Sequence, residues 1–513
     1  MIQNLEHKKV FLFGIRIPII SIDDFQLHSS SILGQIPKII TCFSAFLTNK
    51  TRDYGINWVY SLYSICKFLN IMKQSRRAFL KNSTLTVAGI GLIHSNSFGV
   101  PKFSANDKIN IGLIGARNKG FNILSHLMKT GQVNCLGICD VDQNVLQQRI
   151  GDIKNEFGQT PKGYDDFRKL LENDEIDAVI IGTPDHWHCL IMVYACQAGK
   201  DVYVEKPLAN SIAECNVMVD AANKYNRVVQ VGQQQRSGEV WNSAMQHIHS
   251  GGIGEIKRVN VWANFQYGMG AGKVPNQAVP NGLDFDFWQG PAEKRAYNPN
   301  QVHGNWRHFW NYGGGLMTDW GVHLLDMALW AKNISHEPTT VVASGANYNM
   351  DGYSRETYEI MDVSYPMDDY LIHWSNTAGI QTGPYDKAYG VEFIGDQGVI
   401  LADRSDWSIR QGDNGESEEA TKIAKESFNF EGKSSMEIHV LDFLNCIRNR
   451  SFTKCPVEMG RNVALYAHMG NIAVRSGAQL LDWNADSRRF DKNKAANQFI
   501  IPKYHGPWEL PKI

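Results

Sequence analysis

The sequence predicts two domains of different build: an α/β domain on a parallel, doubly wound sheet, then an α+β domain with a large, mostly antiparallel open sheet. Three observations carry this. From about residue 106 to 232, short apolar runs alternate with helical periods. Beyond Gly254, strand-like segments follow one another with few helices between them. The first strand of the first domain also breaks into closely spaced glycines, Gly112, Gly115 and Gly120. A chain of 513 residues with 43 % apolar content is long enough for two or three such domains. Its net charge of −1 and lack of a large basic cluster argue against nucleic acid as a partner.

Residues 1–71 alternate apolar bursts with polar stretches and show no sustained period and no membrane-length apolar run. They are expected to be a non-native upstream extension, with translation starting at Met72. Residues 72–105 then read as a signal and linker. Arg76-Arg77, followed by Phe79-Leu80 and Lys81, resembles a twin-arginine export signal; Leu85–Ile93 would be its apolar region, too short to span a bilayer. The expected location is therefore the periplasm, without stable membrane insertion. Seven cysteines follow the signal, an odd number lying mostly in apolar patterns, and read as core residues.

Within 106–232, Lys108–Ile114 is a β-branched strand that turns at Gly115 into the amphipathic stretch Phe121–Met128. Gly115 and Gly120 fit the outer positions of the G-x-G-x-x-G turn of a Rossmann unit, whose backbone and following helix N-terminus receive a pyrophosphate. Arg117 stands where the middle glycine belongs. Asp140 ends the second strand, Gln132–Asp140, where a carboxylate accepts from the adenosine ribose and repels a 2′-phosphate, favouring NAD over NADP. Helices Gln143–Phe157, Asp165–Leu171, Cys189–Ala198 and Ile212–Tyr225 then alternate with strands Ala178–Ile181, Val202–Glu205 and Val228–Val231.

From 233 to 480, strands are expected at Ile256–Phe265, Thr340–Tyr348, Glu359–Tyr365, Tyr370–Asn376, Gly390–Ile394 and Gly398–Ala402, interrupted by a helix at Gly315–Lys332. Two late helices, Met436–Arg448 and Val457–Ser476, follow, and 481–513 is a tail packing back on the body. The stretch Phe265–Asn311 reads as a long functional loop.

Three further motifs carry chemistry. Glu205-Lys206-Pro207 and Thr183-Pro-Asp-His-Trp-His188 both leave parallel strands at the carboxyl edge, where open α/β sheets bind ligands. In Gly313–Asp326, Asp319 and His323 are four apart and share a helical face. In combination these resemble the glucose–fructose oxidoreductase / inositol dehydrogenase / MocA (Gfo/Idh/MocA) family over about residues 108–480. The resemblance implies a nicotinamide-dependent oxidoreductase with Lys206, Asp319 and His323 in the catalytic site. The cofactor set would comprise Gly115, Arg117, Gly120, Asp140, Thr183, Pro184, His188, Glu205 and Lys206, with no metal; His186-x-His188 lacks a third ligand at matching spacing.

Oxidising a secondary alcohol needs a proton acceptor while hydride leaves, which suits an imidazole; Asp319 is expected to orient the His323 ring and favour its charged form, and Lys206 to donate to the substrate oxygen or join the proton relay. Trp187, Gln235, Arg236, Trp306, Arg307, His308 and Tyr312 supply aromatic faces and polar donors suited to a carbohydrate. The expected activity is oxidation of a ring hydroxyl of a sugar or glycoside, with nucleotide that stays bound, as in some relatives. One alternative is an NAD-dependent glycosidase resembling the α-N-acetylgalactosaminidases that oxidise the 3-hydroxyl transiently. Another is a non-enzymatic nucleotide or sugar sensor, which the intact Lys206, Asp319 and His323 set opposes. A homo-oligomer through the second domain's sheet is expected.

Overall fold

A computed structural model describes residues 107–348, 350–411 and 433–513, together with 11–12 and 15–16. The last four form a short antiparallel pair, Phe11–Leu12 with Ile15–Arg16. The rest of the expected upstream extension, and the twin-arginine motif with its apolar region, lie outside the described residues.

The first domain runs β1 (Ile109–Ile114), α1 (Asn118–Lys129), β2 (Val133–Cys139), α2 (Gln143–Phe157), β3 (Lys162–Tyr164), α3 (Phe167–Leu171), β4 (Ala178–Ile181), α4 (Asp185–Gln197), β5 (Asp201–Val204), α5 (Ile212–Lys224) and β6 (Val229–Val231). Its six strands are ordered β3-β2-β1-β4-β5-β6, all parallel. The order reverses between β1 and β4, the switch point at which such sheets open a crevice for ligands. Strands β4, β5 and β6 are wholly buried because helices cover both faces. Helix α4 begins at Asp185, four residues before the start expected from sequence, so His186 and His188 belong to its first turn.

The second domain contributes α6 (Glu239–His249), β7 (Ile256–Ala263), α7 (Phe285–Gln289), α8 (Val322–Ala331), β8 (Thr340–Ala346), β9 (Ile360–Pro366), β10 (Leu371–Thr377), β11 (Tyr389–Gly395), β12 (Gly398–Ala402) and β13 (Trp407–Gln411). After these come α9 (Ser435–Asn449), α10 (Val457–Arg475), β14 (Leu480–Asn484) and β15 (Arg489–Phe490). Nine strands form one sheet, β13-β12-β11-β7-β10-β9-β8-β14-β15, antiparallel except where β7 meets β10. The tail boundary expected at 480 falls inside this sheet, since β14 and β15 are its edge.

The late helices tie the halves together. Helix α9 buries Met436, Val440, Phe443 and Leu444 against β1, β2 and α1, while α10 packs apolar residues such as Val463, Leu465 and Met469 into the core shared with α4, α5 and the large sheet. The seven cysteines of this body are free and buried, as their apolar surroundings in the sequence predicted.

Candidate active site

The site begins at the glycine turn. Gly115 has φ +83°, and a Cβ there would stand 2.7 Å from the Thr183 nitrogen; one on Gly120 would stand 2.1 Å from the Gly115 carbonyl oxygen. Both positions therefore need glycine. Arg117 has φ −74°, an ordinary conformation, so the local backbone does not demand the missing middle glycine. It is the N-cap of α1 and makes no side-chain cap bond, which leaves the first amides of that helix for an anion. Asp140 lines the same crevice, its Oδ2 accepting from Ala116 N at 2.8 Å and its Oδ1 from Asp142 N at 3.0 Å. Burial raises its pKa against the effect of those bonds. The carboxylate thus braces the glycine turn and keeps lone pairs for a ribose.

A cavity of about 350 Å³ runs from this turn past the ends of β4 and β5 to α8. At its far end Lys206 Nζ donates to the Asp319 backbone oxygen and to Asp319 Oδ1, both at 2.6 Å. Tyr267 Oη donates to Asp319 Oδ2 at 2.8 Å, and Arg307 Nε to Oδ1 at 3.2 Å. Burial opposes ionisation of Asp319, but Lys206 and Arg307 outweigh it and hold the carboxyl far below its usual range. Asp319 lies in a π-helical turn, Met317–Gly321, preceding α8, where the sequence predicted continuous α-helix; such wide turns recur at functional sites.

His323, in the first turn of α8, is 4 % exposed, and its Nδ1 has no hydrogen-bond partner among the described residues. Burial, then Lys206 and Arg404, push its pKa well below the ordinary value, with Asp319 opposing. The expectation that Asp319 orients this ring is corrected here, because Asp319 spends its hydrogen bonds on Lys206, Tyr267 and Arg307; its pull toward the charged form is present but outweighed by burial and the two cations. Arg404 stands with its Cζ 4.3 Å from the Trp320 ring centre and donates Nε to Gln235 Oε1 at 2.7 Å. Asp185, 3 % exposed, also lines the cavity; burial raises its pKa well above normal despite Arg307 and Lys206.

Residues 109–233 match the model of the oxidoreductase family with an NAD-binding Rossmann fold, and residues 253–364 match its C-terminal α/β domain. The chain belongs to the Gfo/Idh/MocA oxidoreductase family. Among curated relatives, a glycosyl hydrolase family 109 protein of Shewanella pealeana is 30 % identical over 204 residues, 36 % of this chain and 45 % of the relative. One of Shewanella putrefaciens is 28 % identical over 35 % of this chain and 44 % of its own length. The chain thus spans less than half the length of the curated relatives it matches. Among solved structures, a levoglucosan dehydrogenase complex with NADH and levoglucosan superimposes with a TM-score of 0.56 at 18 % identity, over 73 % of this chain and 99 % of the other. The WlbA dehydrogenase from Bordetella pertussis gives 0.55 at 17 % identity, over 74 % and 100 %. At such identity these two establish the shared fold.

In this Gfo/Idh/MocA chain, Gly115, Arg117, Asp140, Thr183, Pro184, Trp187, Glu205, Lys206, Trp306, Arg307 and His323 all line the one cavity. Gly120 instead packs against Gly182, and Asp319 sits just behind Lys206. Five other residues expected at the site stand outside the cavity wall. His188 packs between the two motifs, with Nδ1 2.9 Å from the Pro207 carbonyl and Nε2 3.0 Å from that of Thr183, and its single N–H donates to one of them. Gln235 donates to the His323 carbonyl at 3.1 Å and positions Arg404. Arg236 is committed to Asp326 through Nε at 3.0 and 2.9 Å and Nη2 at 2.7 Å. His308 is buried beneath the Tyr267 turn, and Tyr312, 0 % exposed, packs on Trp288 at 4.8 Å and His186 at 5.1 Å. Aromatic and polar composition alone could not separate these supports from wall residues. Tyr267, Arg404, Asp185 and Trp320 went unpredicted, although Asp185 lies within a motif already singled out.

Proposed function

We propose that the protein uses NAD to remove hydride from a secondary ring hydroxyl of a sugar or glycoside, or to return it to a keto-sugar. The carrying observation is that Lys206, hydrogen-bonded to Asp319, and a neutral, unpartnered His323 share one cavity with the glycine turn. The residues fit the nucleotide: the turn has no room for a Cβ at Gly115 or Gly120, the α1 amides are uncapped, and Asp140 ends β2. When bound, the nicotinamide supplies the hydride acceptor. Everything else falls to the chain. Two of the three N–H donors of Lys206 go to Asp319, leaving one to hold the substrate oxygen. As hydride leaves, the hydroxyl becomes strongly acidic, so His323 can take its proton although surrounding cations make the ring a weak base. Trp187, Trp306 and Trp320 offer apolar faces to a sugar ring, and Arg404 has donors left for its hydroxyls.

The reading is tested by denaturing the purified protein, identifying the released nucleotide, and screening glycosides with the native enzyme. NAD and a keto product are expected; absence of both defeats the proposal. A redox-neutral hydrolysis is the second reading, favoured by the family 109 relatives and by Asp185, a buried carboxyl on the cavity wall whose pKa burial raises, which suits it to donate to a leaving group. It gives free sugar instead of a keto product. To the same proposal belong export through Arg76-Arg77 and self-association through the large sheet, where paired Val342 and Leu480 are 39 % and 55 % exposed.

A further inference from the structure

A second cavity, of about 420 Å³, opens between Trp310–Asn311, the end of α10 and the tail segment Gln498–His505. It backs onto the first. His186 faces it while Asp185 and Trp187 face the first cavity, and Trp310 faces it while Trp306 and Arg307 face the first. Into it reaches Arg475, from the last turn of α10, with Cζ 4.3 Å from the Trp310 ring centre and 4.2 Å from that of Phe499. Stacking occupies the faces of a guanidinium and leaves its N–H donors free along the edge. Among the described residues no hydrogen bond or ion pair reaches those donors. Glu356, which acts on Arg475 electrostatically, is tied to Arg295 and to Trp310 N. Burial pulls the Arg475 pKa down to about 10, as expected of a cation desolvated without a contact partner.

The rest of the wall carries both signs of charge, with Glu293 an exposed carboxylate on it. With its amide turned so that the oxygen meets donors, Asn311 accepts through that oxygen from Arg295 Nε at 3.1 Å and Nη2 at 3.2 Å. Lys503 is exposed at the rim. The one deeply buried acid on the wall, Glu214, is already bonded to Tyr504 and Ser211.

We propose that this cavity is a second ligand site, separate from the reaction, which takes a small molecule bearing a carboxylate or phosphate group on the edge of Arg475. Two parallel N–H donors suit either pair of anionic oxygens. The test uses the whole protein saturated with NAD, so that the glycine turn is filled. It is titrated calorimetrically with inorganic phosphate and, separately, with succinate, at constant ionic strength set by chloride. Saturable binding of at least one is expected, phosphate alone pointing to a phosphorylated ligand and succinate alone to a carboxylate. Arg475→Gln should weaken it at least tenfold, and Asn311→Asp, which keeps an acceptor for Arg295 but adds negative charge, should weaken it too. Unchanged NAD binding shows that both variants are folded. Absence of saturable binding by either anion, or variants that bind as tightly as the parent, would overturn the proposal.

Discussion

An imidazole buried beside two cations is an unusual proton acceptor, and the proposed chemistry turns on it. With His323→Ala, turnover on the true substrate should fall by roughly 10²–10⁴-fold while nucleotide binding survives. Lys206→Ala should lose a similar amount. The two losses should not multiply, because both groups serve one oxygen and its proton. Steady-state kinetics of the single and double variants decide this, and near-parental turnover in His323→Ala would move the base elsewhere. Asp319→Asn should cost as much as Lys206→Ala, since it leaves the largely buried Lys206 and the half-buried Arg307 without their carboxylate. Residues such as Lys206, Asp319 and His323 are legible in sequence because each stands in a compact motif. Tyr267 is not: it meets Asp319 across 52 positions, and no local pattern marks a tyrosine at the start of a loop.

Elements with strong periods or glycine punctuation were readable, and those without were missed. The parallel strands are short, rich in β-branched apolar residues and bounded by polar turns, so their places follow directly. Helix α6 went unseen because Gly238 stands at its N-cap with no capping side chain. The π turn was hidden because Asp319 and His323 keep a spacing of four, which an α-helix would also place on one face. Edge strands β13 to β15 alternate polar and apolar residues too briefly to declare themselves. The glycine turn is the element whose demands are sharpest. Gly120→Ala would press a Cβ on the Gly115 carbonyl, a backbone atom that cannot swing aside. It should destabilise the fold by about 1–3 kcal/mol and abolish tight NAD binding, read by thermal melts with and without nucleotide. Asp140→Asn keeps an acceptor for Ala116 and removes the charge. It should raise affinity for NADP relative to NAD by about tenfold, and a parent protein that already prefers NADP would sink that role.

At the scale of the whole molecule, two ends of the chain carry separate predictions. The proposed export rests on Arg76-Arg77: if it holds, a Lys-Lys replacement should trap the protein inside the cell, and unchanged delivery to the periplasm would refute the signal. The other end folds back onto the first domain, where Tyr504 Oη donates to Glu214 Oε1 at 2.6 Å and Ser211 Oγ to Oε2 at 2.9 Å. Glu214 is 1 % exposed, and burial, only partly offset by those bonds, raises its pKa to about 7. In the unfolded chain it returns to about 4.3. Between these values the folded state holds a proton that the unfolded state has released, so this group's contribution to stability is complete below pH 4.3 and is lost as pH rises through 7. The loss is about 1.4 kcal/mol per pH unit, on the order of 4 kcal/mol across the whole window. Glu214→Gln preserves an acceptor without a charge to desolvate. It should match the parent in denaturant unfolding at pH 5 and exceed it at pH 8 by up to about 3 kcal/mol. Equal stability at both values would mean that the carboxylate is solvated and that the tail does not seal it.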